Sequence, residues 1–352
     1  KMASLLLRRG LTAARTLSPS VHAVSRSVRP AAAISVRGMS SVKISAAMVK
    51  ELRDKTGSPM MDCKRALEDA AGDQEKALEW LRKKGMATAA KKESRRSADG
   101  LICALLDASG KRGSVVEVNS ETDFVARNPI FQTFVKEVCA LHLTQGTPSM
   151  PLNDFKALQL EKGPQTTGKI SVEDAVKEMV ATVGENCQMR AATGLEVKGA
   201  GGVFRYMHTP MGEGLGKVGV LVGLESETKD TEGLAQLGYS MAMHVAAAKP
   251  TYSRVSDIPQ EDEEKEKRVF VQQAEESGKS REIAEKMTAG RIKKWHEEVV
   301  LLEQAYLIGG DGKTKVAKVL EEASASLGAK VTLAGFARIK CGETNDEPIK
   351  VD

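Results

Sequence analysis

The stretch SVVEVNSETDFVARNPIFQTFVKEVCAL, residues 114–141, changes its period midway, and that change decides the fold class. Its first part, SVVEVNS, is rich in β-branched residues and pairs with the preceding LICALLD across the turn ASGKRG, as a β-hairpin would. Beyond the junction, Asn128 and Pro129 stand as N-cap and first helical residue. Phe131, Phe134, Val135, Val138 and Leu141 then recur at helical spacing. A strand pair handing over to a core-facing helix predicts a mixed α+β architecture. Phe124 fits neither period. In a chain that is only 4% aromatic, a phenylalanine spent in the polar junction ETDFVARNP is a candidate functional residue.

Upstream, residues 44–86 read as three short helices. The first has Ser45 as N-cap, Met48, Val49 and Leu52 on one face, and Gly57 as stop; the second has Ser58 as N-cap and Pro59 at its first position. The third starts at Asp73, buries Ala77, Leu78 and Leu81, and stops at Gly85. A basic linker is expected at 87–99. Downstream, a first core unit covers 100–183, with a polar loop at 146–168 and a helix through Val172, Ala175, Val176, Met179 and Val180. A second strand-and-helix unit covers 184–259, starting after Gly184 with AATGLEVKG, FRYMHTP and VGVLVGLES and closing with the helix TEGLAQLGYSMAMHVAAAKP. Residues 260–300 are rich in Glu and Lys, with sparse apolar positions at Val269, Phe270, Ala274, Ile283, Met287, Ile292 and Trp295. Two readings fit this segment: an antiparallel hairpin projecting from the body, or a solvated amphipathic pair lying on the core. Residues 301–352 return to the second unit with the strand VTLAGFARIKCGE and a polar tail.

The chain carries a formal net charge of +5, but the excess is local. Residues 1–50 hold nine Lys or Arg and no Asp or Glu, which leaves 43 basic against 47 acidic residues elsewhere. The Arg- and Ser-rich, acid-free segment 1–41 has the composition of an organellar transit peptide, mitochondrial in preference to plastid, with a basic nucleic-acid-binding arm as the alternative. No stretch has the ~20 apolar residues of a membrane span. Five scattered cysteines without a CxxC pair fit buried thiols in a reducing compartment, and the five histidines show no metal-ligand spacing. No cofactor and no metal are expected.

Two strings resemble nucleotide motifs and fail on chemistry. GPQTTGKI (163–170) places Ile170 where a phosphate-binding loop needs a magnesium-holding hydroxyl. GLGKVG (214–219) precedes a strand, whereas a dinucleotide fingerprint follows a strand and opens a helix. No nucleophile–base constellation is convincing either, so the chain reads as a binder and not as an enzyme.

In order, VKELRDKTGSPMMDCKRALEDAAGD, SADGLI, VEVNSETDFVAR, GEN, MAMHVAAAKP, SGKSREIAEKMTAGRIKKW and FARIKCGE strongly resemble the elongation factor Ts family, from about Ile44 to about Glu343. The resemblance implies a ubiquitin-associated-like three-helix bundle, two α+β core subdomains and an inserted antiparallel coiled-coil hairpin. It implies guanine-nucleotide exchange on elongation factor Tu, with no nucleotide bound directly and neither a membrane nor a specific nucleic acid as partner. Thr122, Asp123, Phe124 and Val125 would reach the partner's GTPase domain, the phenylalanine wedging between two helices and disturbing the magnesium and phosphate sites so that GDP leaves. Lys50, Arg53, Met60, Met61 and Lys64 match partner-facing positions, although Met60 or Met61 equally fits a bundle core. Val183, Gly184 and His208 match core positions that contact the partner. This chain departs from the family pattern in having His208-Thr209 where His-Gly is common, and in a tail without an amphipathic helix. The competing class is a family relative held as a structural subunit of a larger mitochondrial assembly such as the ribosome. The wedge expectation carries a condition: Asp123 and Phe124 must be exposed when the partner is absent.

Overall fold

The computed structural model describes residues 43–278, 280–309 and 312–343; the expected transit peptide at 1–41 and the end of the polar tail lie outside them. Helix α1 (Ala46–Thr56) begins where the Ser45 side chain accepts the amide of Met48, and ends at Gly57, whose φ of 65° sends its own amide back to the Arg53 carbonyl. Helix α2 spans Met60–Asp69. Its N-cap is Pro59, at ψ 136°, and not Ser58. Ser58 is buried, and its hydroxyl accepts a hydrogen bond from Gln165 Nε2 at 3.1 Å. Helix α3 (Gln74–Lys92) is started by the Asp73 carboxylate and runs straight through Gly85. A Cβ at Gly85 would stand 2.8 Å from the Ala181 Cβ, so this glycine is a close helix contact and not a stop, and the first half of the expected linker is helical. Val49, Leu52, Cys63, Ala66, Leu67, Ala77 and Leu81 form the core shared by the three helices.

Strands β1 (Asp99–Leu106) and β2 (Arg112–Ser120) form the expected antiparallel hairpin, with Cys103 opposite Val116. A single helical turn, α4 (Asp123–Ala126), follows, and then α5 (Pro129–Gln145), capped by Asn128 as its sequence predicts. The expected polar loop contains a short helix, α6 (Leu152–Ala157), and ends in a two-residue ladder between β3 (Gln159–Leu160) and β4 (Ile170–Ser171). Helix α7 (Val172–Val183) starts at a Ser171 cap and ends at Gly184, whose φ is 79°.

Strand β5 (Gln188–Glu196) pairs antiparallel with β2, so it completes the first sheet, whereas the sequence reading opens the second unit at 184. Strands β6 (Gly201–His208), β7 (Leu215–Gly216) and β8 (Val218–Glu225) lead into helix α8 (Thr231–Ala248). Helices α9 (Gln260–Glu276) and α10 (Arg281–Val299) come next. Helix α11 (Val316–Ser326) is absent from the sequence reading, and the last strand is β9 (Thr332–Lys340). The first sheet has the order β5-β2-β1-β7 and the second β6-β8-β9.

The two sheets lie face to face between helical layers. Leu101 and Cys103 of β1 pack with α5 and α7, while Ile102 and Ala104 meet Leu221, Ala337 and Ile339 of the second sheet. On β8 the alternate residues Val220, Val222 and Leu224 turn outward to the layer containing Leu234, Met241 and Val245 of α8 and Leu320 of α11. Burial on both faces explains why β8 reads as a continuous apolar run, and burial on one side gives β9 its alternation. Helices α9 and α10 run antiparallel: His296 Nε2 lies 3.8 Å from Glu263, Arg291 Nη1 lies 3.3 Å from Gln273 Oε1, and Ala274 and Ile292 are buried. Val269, Ile283 and Met287 of this pair remain exposed. No helix among the described residues is long and apolar enough to cross a membrane.

Candidate partner-binding surface

At the end of β2 the Ser120 hydroxyl donates to the Thr122 carbonyl at 2.9 Å, and the chain then makes the one turn of α4. Consecutive residues on so short a helix face different ways. Val125 and Ala126 enter the core beside Phe131 and Phe134, while Phe124 is 80% exposed. The condition on Phe124 is therefore met. Asp123 is about half exposed and pairs with Arg127 at 3.3 Å. Val125 departs from expectation. The resemblance groups it with the partner-facing residues, but its side chain is buried at home and anchors the turn.

The turn is braced by the loop that follows α7. Thr122 gives both its amide (2.9 Å) and its hydroxyl (2.6 Å) to the Glu185 carboxylate, and Asn186 gives its amide to Glu121 Oε1 at 2.6 Å. Asn186 also donates to the carbonyls of Glu93 and Arg95 just beyond α3, and Lys92 Nζ donates to the Gly184 carbonyl. Thus Val183, half-buried, and Gly184, exposed, sit next to the residue that holds Thr122.

Met60 (53% exposed) and Met61 (59%) are not bundle core; that role belongs to Cys63, Ala66 and Leu67 on the other side of α2. Lys50, Arg53 and Lys64 are exposed as well, Lys64 within 3.7 Å of Glu68. The Gly57–Ser58 turn that leads into α2 rests against Thr182 and Ile130, so α2 begins at the same end of the core as Val183 and the Phe124 turn. Ile130, 47% exposed, is a further apolar residue there that sequence reasoning missed, because it reads as an ordinary first-turn helix residue.

His208 ends β6, exposed, with Nδ1 3.0 Å from the Tyr206 hydroxyl. Its carbonyl accepts the Lys217 amide, and the Lys217 ammonium pairs with Asp99, which lies opposite Ser120. His208 is therefore linked, through Lys217 and its ion pair with Asp99, to the strand end that launches the Phe124 turn. Thr209 has φ 50°, a left-handed conformation that a glycine would hold without strain.

Burial pushes the thiols of Cys187 and Cys341 up to about 12, so neither is a ready thiolate. Ser114 and His142 Nδ1 are 2.8 Å apart, but both are buried, and desolvation followed by the Arg112 charge lowers the His142 pKa to about 4. In GPQTTGKI the amides of Gln165 and Thr166 point at the buried carboxylate of Glu178, at 3.0 and 3.1 Å, so the chain's own acid occupies the cradle.

A family model described as elongation factor TS matches residues 121–343. The chain is 49% identical to elongation factor Ts of Rhodospirillum rubrum over 301 residues, which covers 86% of this chain and 93% of that one. It is 48% identical to elongation factor Ts of Rhodospirillum centenum, over 86% and 94% of the two chains, and 47% identical to that of Rhizobium meliloti, over 85% and 93%. With this likeness running through the Phe124 turn, its bracing segment and both sheets, the chain belongs to the elongation factor Ts family.

Proposed function

We propose that this protein is the guanine-nucleotide exchange factor of elongation factor Tu in the mitochondrial matrix, with Phe124 as an inserted wedge. On this reading α1–α3 form a ubiquitin-associated-like bundle, the two sheets with their helices make two core subdomains, and α9–α10 form a coiled-coil hairpin. The surface around Lys50, Arg53, Met60, Met61 and Lys64 docks on the partner's GTPase domain, while Thr122–Phe124 enters between two of its helices. One observation carries the reading: Phe124 is 80% exposed on a turn whose neighbours Val125 and Ala126 are buried. A phenylalanine exposed at home gains roughly 1.5–3 kcal/mol on entering a partner's core. That free energy is available to deform the magnesium and phosphate site only because it has not been used in this protein's own folding.

Binding is reciprocal. Whatever the factor does to weaken GDP, GDP does equally to weaken the factor, so the complex passes through a state in which neither holds the GTPase firmly. The protein breaks no covalent bond; it changes the rate at which a ligand leaves. Stopped-flow release of fluorescent GDP from mitochondrial elongation factor Tu tests the proposal: wild-type protein accelerates release, and a protein that leaves the rate unchanged refutes it. The compartment rests on the acid-free, Arg-rich residues 1–41. Fusing them to a reporter tests it, since a reporter that remains in the cytosol removes the mitochondrial assignment.

A further inference from the structure

We infer that Glu185 is a positioning residue for the Phe124 turn, acting through a reciprocal clasp with Glu121. The inference rests on the exchange reading above. Each of two loops supplies an acid that takes a backbone amide of the other: Thr122 N–H goes to Glu185 and Asn186 N–H goes to Glu121. The register of the first sheet creates the meeting, because Asn119 of β2 stands opposite Gln188 of β5 and the two chains run on side by side. Arg95 lies 3.6 Å from Glu121, and the Asn186 side chain donates to the Arg95 carbonyl at 2.7 Å, so the segment after α3 closes the clasp from a third side.

The clasp matters because α4 cannot hold itself. Four residues are far below the length at which helix formation sustains a conformation. Thr122, in the N-cap position, makes no side-chain cap to α4; its hydroxyl is committed to Glu185 at 2.6 Å. Val125 and Ala126 fix the turn on its C-terminal side, and Glu185 fixes it on the N-terminal side, with Phe124 between them. Bonds to a carboxylate are stronger than neutral ones. Without them Phe124 spreads over more directions, and fewer encounters present it to the partner ready to insert.

The test is the maximal rate of fluorescent GDP release from purified elongation factor Tu, and the half-saturating concentration of this protein, for full-length variants with Phe124 present and with Phe124→Ala. Glu185→Ala lowers the maximal rate about tenfold, with the half-saturating concentration essentially unchanged because Met60 and Met61 are untouched. Glu185→Gln gives a smaller loss. Thr122→Val slows release and Thr122→Ser restores it, a pair that carries the test if Glu185→Ala does not fold. In the Phe124→Ala background none of these changes slows release further. A Glu185→Ala or Thr122→Val protein with an unchanged maximal rate overturns the inference. So does an equal fold-loss in the Phe124→Ala background, or an effect confined to the half-saturating concentration, as a smaller folded fraction would produce. The two levels separate cleanly: Phe124→Ala as fast as wild type removes the wedge reading itself, whereas slow Phe124→Ala with fast Glu185→Ala removes only the clasp.

Discussion

The Phe124 turn and the α9–α10 pair both expose apolar side chains, yet they are built on opposite plans. Phe124 is 80% exposed, ahead of the buried Val125 and Ala126, on a turn held by charge-assisted hydrogen bonds from another loop. Val269, Ile283 and Met287 are exposed at 39%, 49% and 40% on two long helices whose pairing polar contacts, such as Arg291 to Gln273, lie near the surface. A single exposed ring on a rigid mount is suited to entering a pocket; a dispersed set on paired helices is suited to covering a surface. Exposure alone does not distinguish function. What holds the exposed residue does.

Acid should separate the two regions most strongly. His142 sits on α5, the helix that follows the Phe124 turn, and burial lowers its pKa from the ordinary histidine value of 6.5 to about 4. As the pH falls below 6.5 the unfolded chain takes up the proton first, so stability is whole above that pH, falls between 6.5 and 4, and is level below. The shift corresponds to about 3 kcal/mol. Urea titrations at a series of pH values should show the loss, and His142→Phe should make it shallower, leaving the part due to His244, whose pKa burial also lowers; an equally steep profile in the variant would assign the acid sensitivity elsewhere.

The next effect is kinetic. Phe124→Ala should slow GDP release about 10- to 100-fold, matching the ~1.5–3 kcal/mol of one buried ring. Its melting temperature should not change, because the ring contributes little to its own fold; a markedly lower melting temperature would mean that the ring is packed at home. Third, Thr209→Gly should stabilise the protein by about 1 kcal/mol in denaturant titrations by relieving the left-handed conformation at φ 50°. A destabilised variant would show that the threonine side chain contributes more than its backbone costs. Smallest of all, Met287→Ser should change stability by no more than about 0.5 kcal/mol and leave exchange intact. A large loss of exchange in that variant would erase the contrast between turn and helix pair.

Much of this contrast could be read before the structure. Ser45, Asp73 and Asn128 cap helices, and Gly57 ends one, because capping is decided within a few residues. Phe124 could be singled out because it broke both neighbouring periods. What failed depended on distant chain. Gly85 resembles a stop until Ala181 is seen against it, and β5 resembles the start of a new unit until β2 is seen beside it. Helix α11 was missed because Val316 and Leu320 are its only buried residues, too sparse a stripe to be read as a period. Val125 could not be separated from Phe124 by residue type, since both are apolar and only the direction of α4 sends one inward. Glu121 and Glu185 were unremarkable acids in sequence, and their roles exist only once ETD and GEN are adjacent.

Glu178 has a last consequence. A protein that expels GDP from a partner would hinder itself if it then captured what it released. In the loop most like a phosphate cradle, the donors of Gln165 and Thr166 are already turned to a fixed internal anion, and an arriving phosphate would meet negative charge there. At this loop the protein is a poor competitor for its own product. On the proposed function, nucleotide released by the partner is therefore not drawn to this loop.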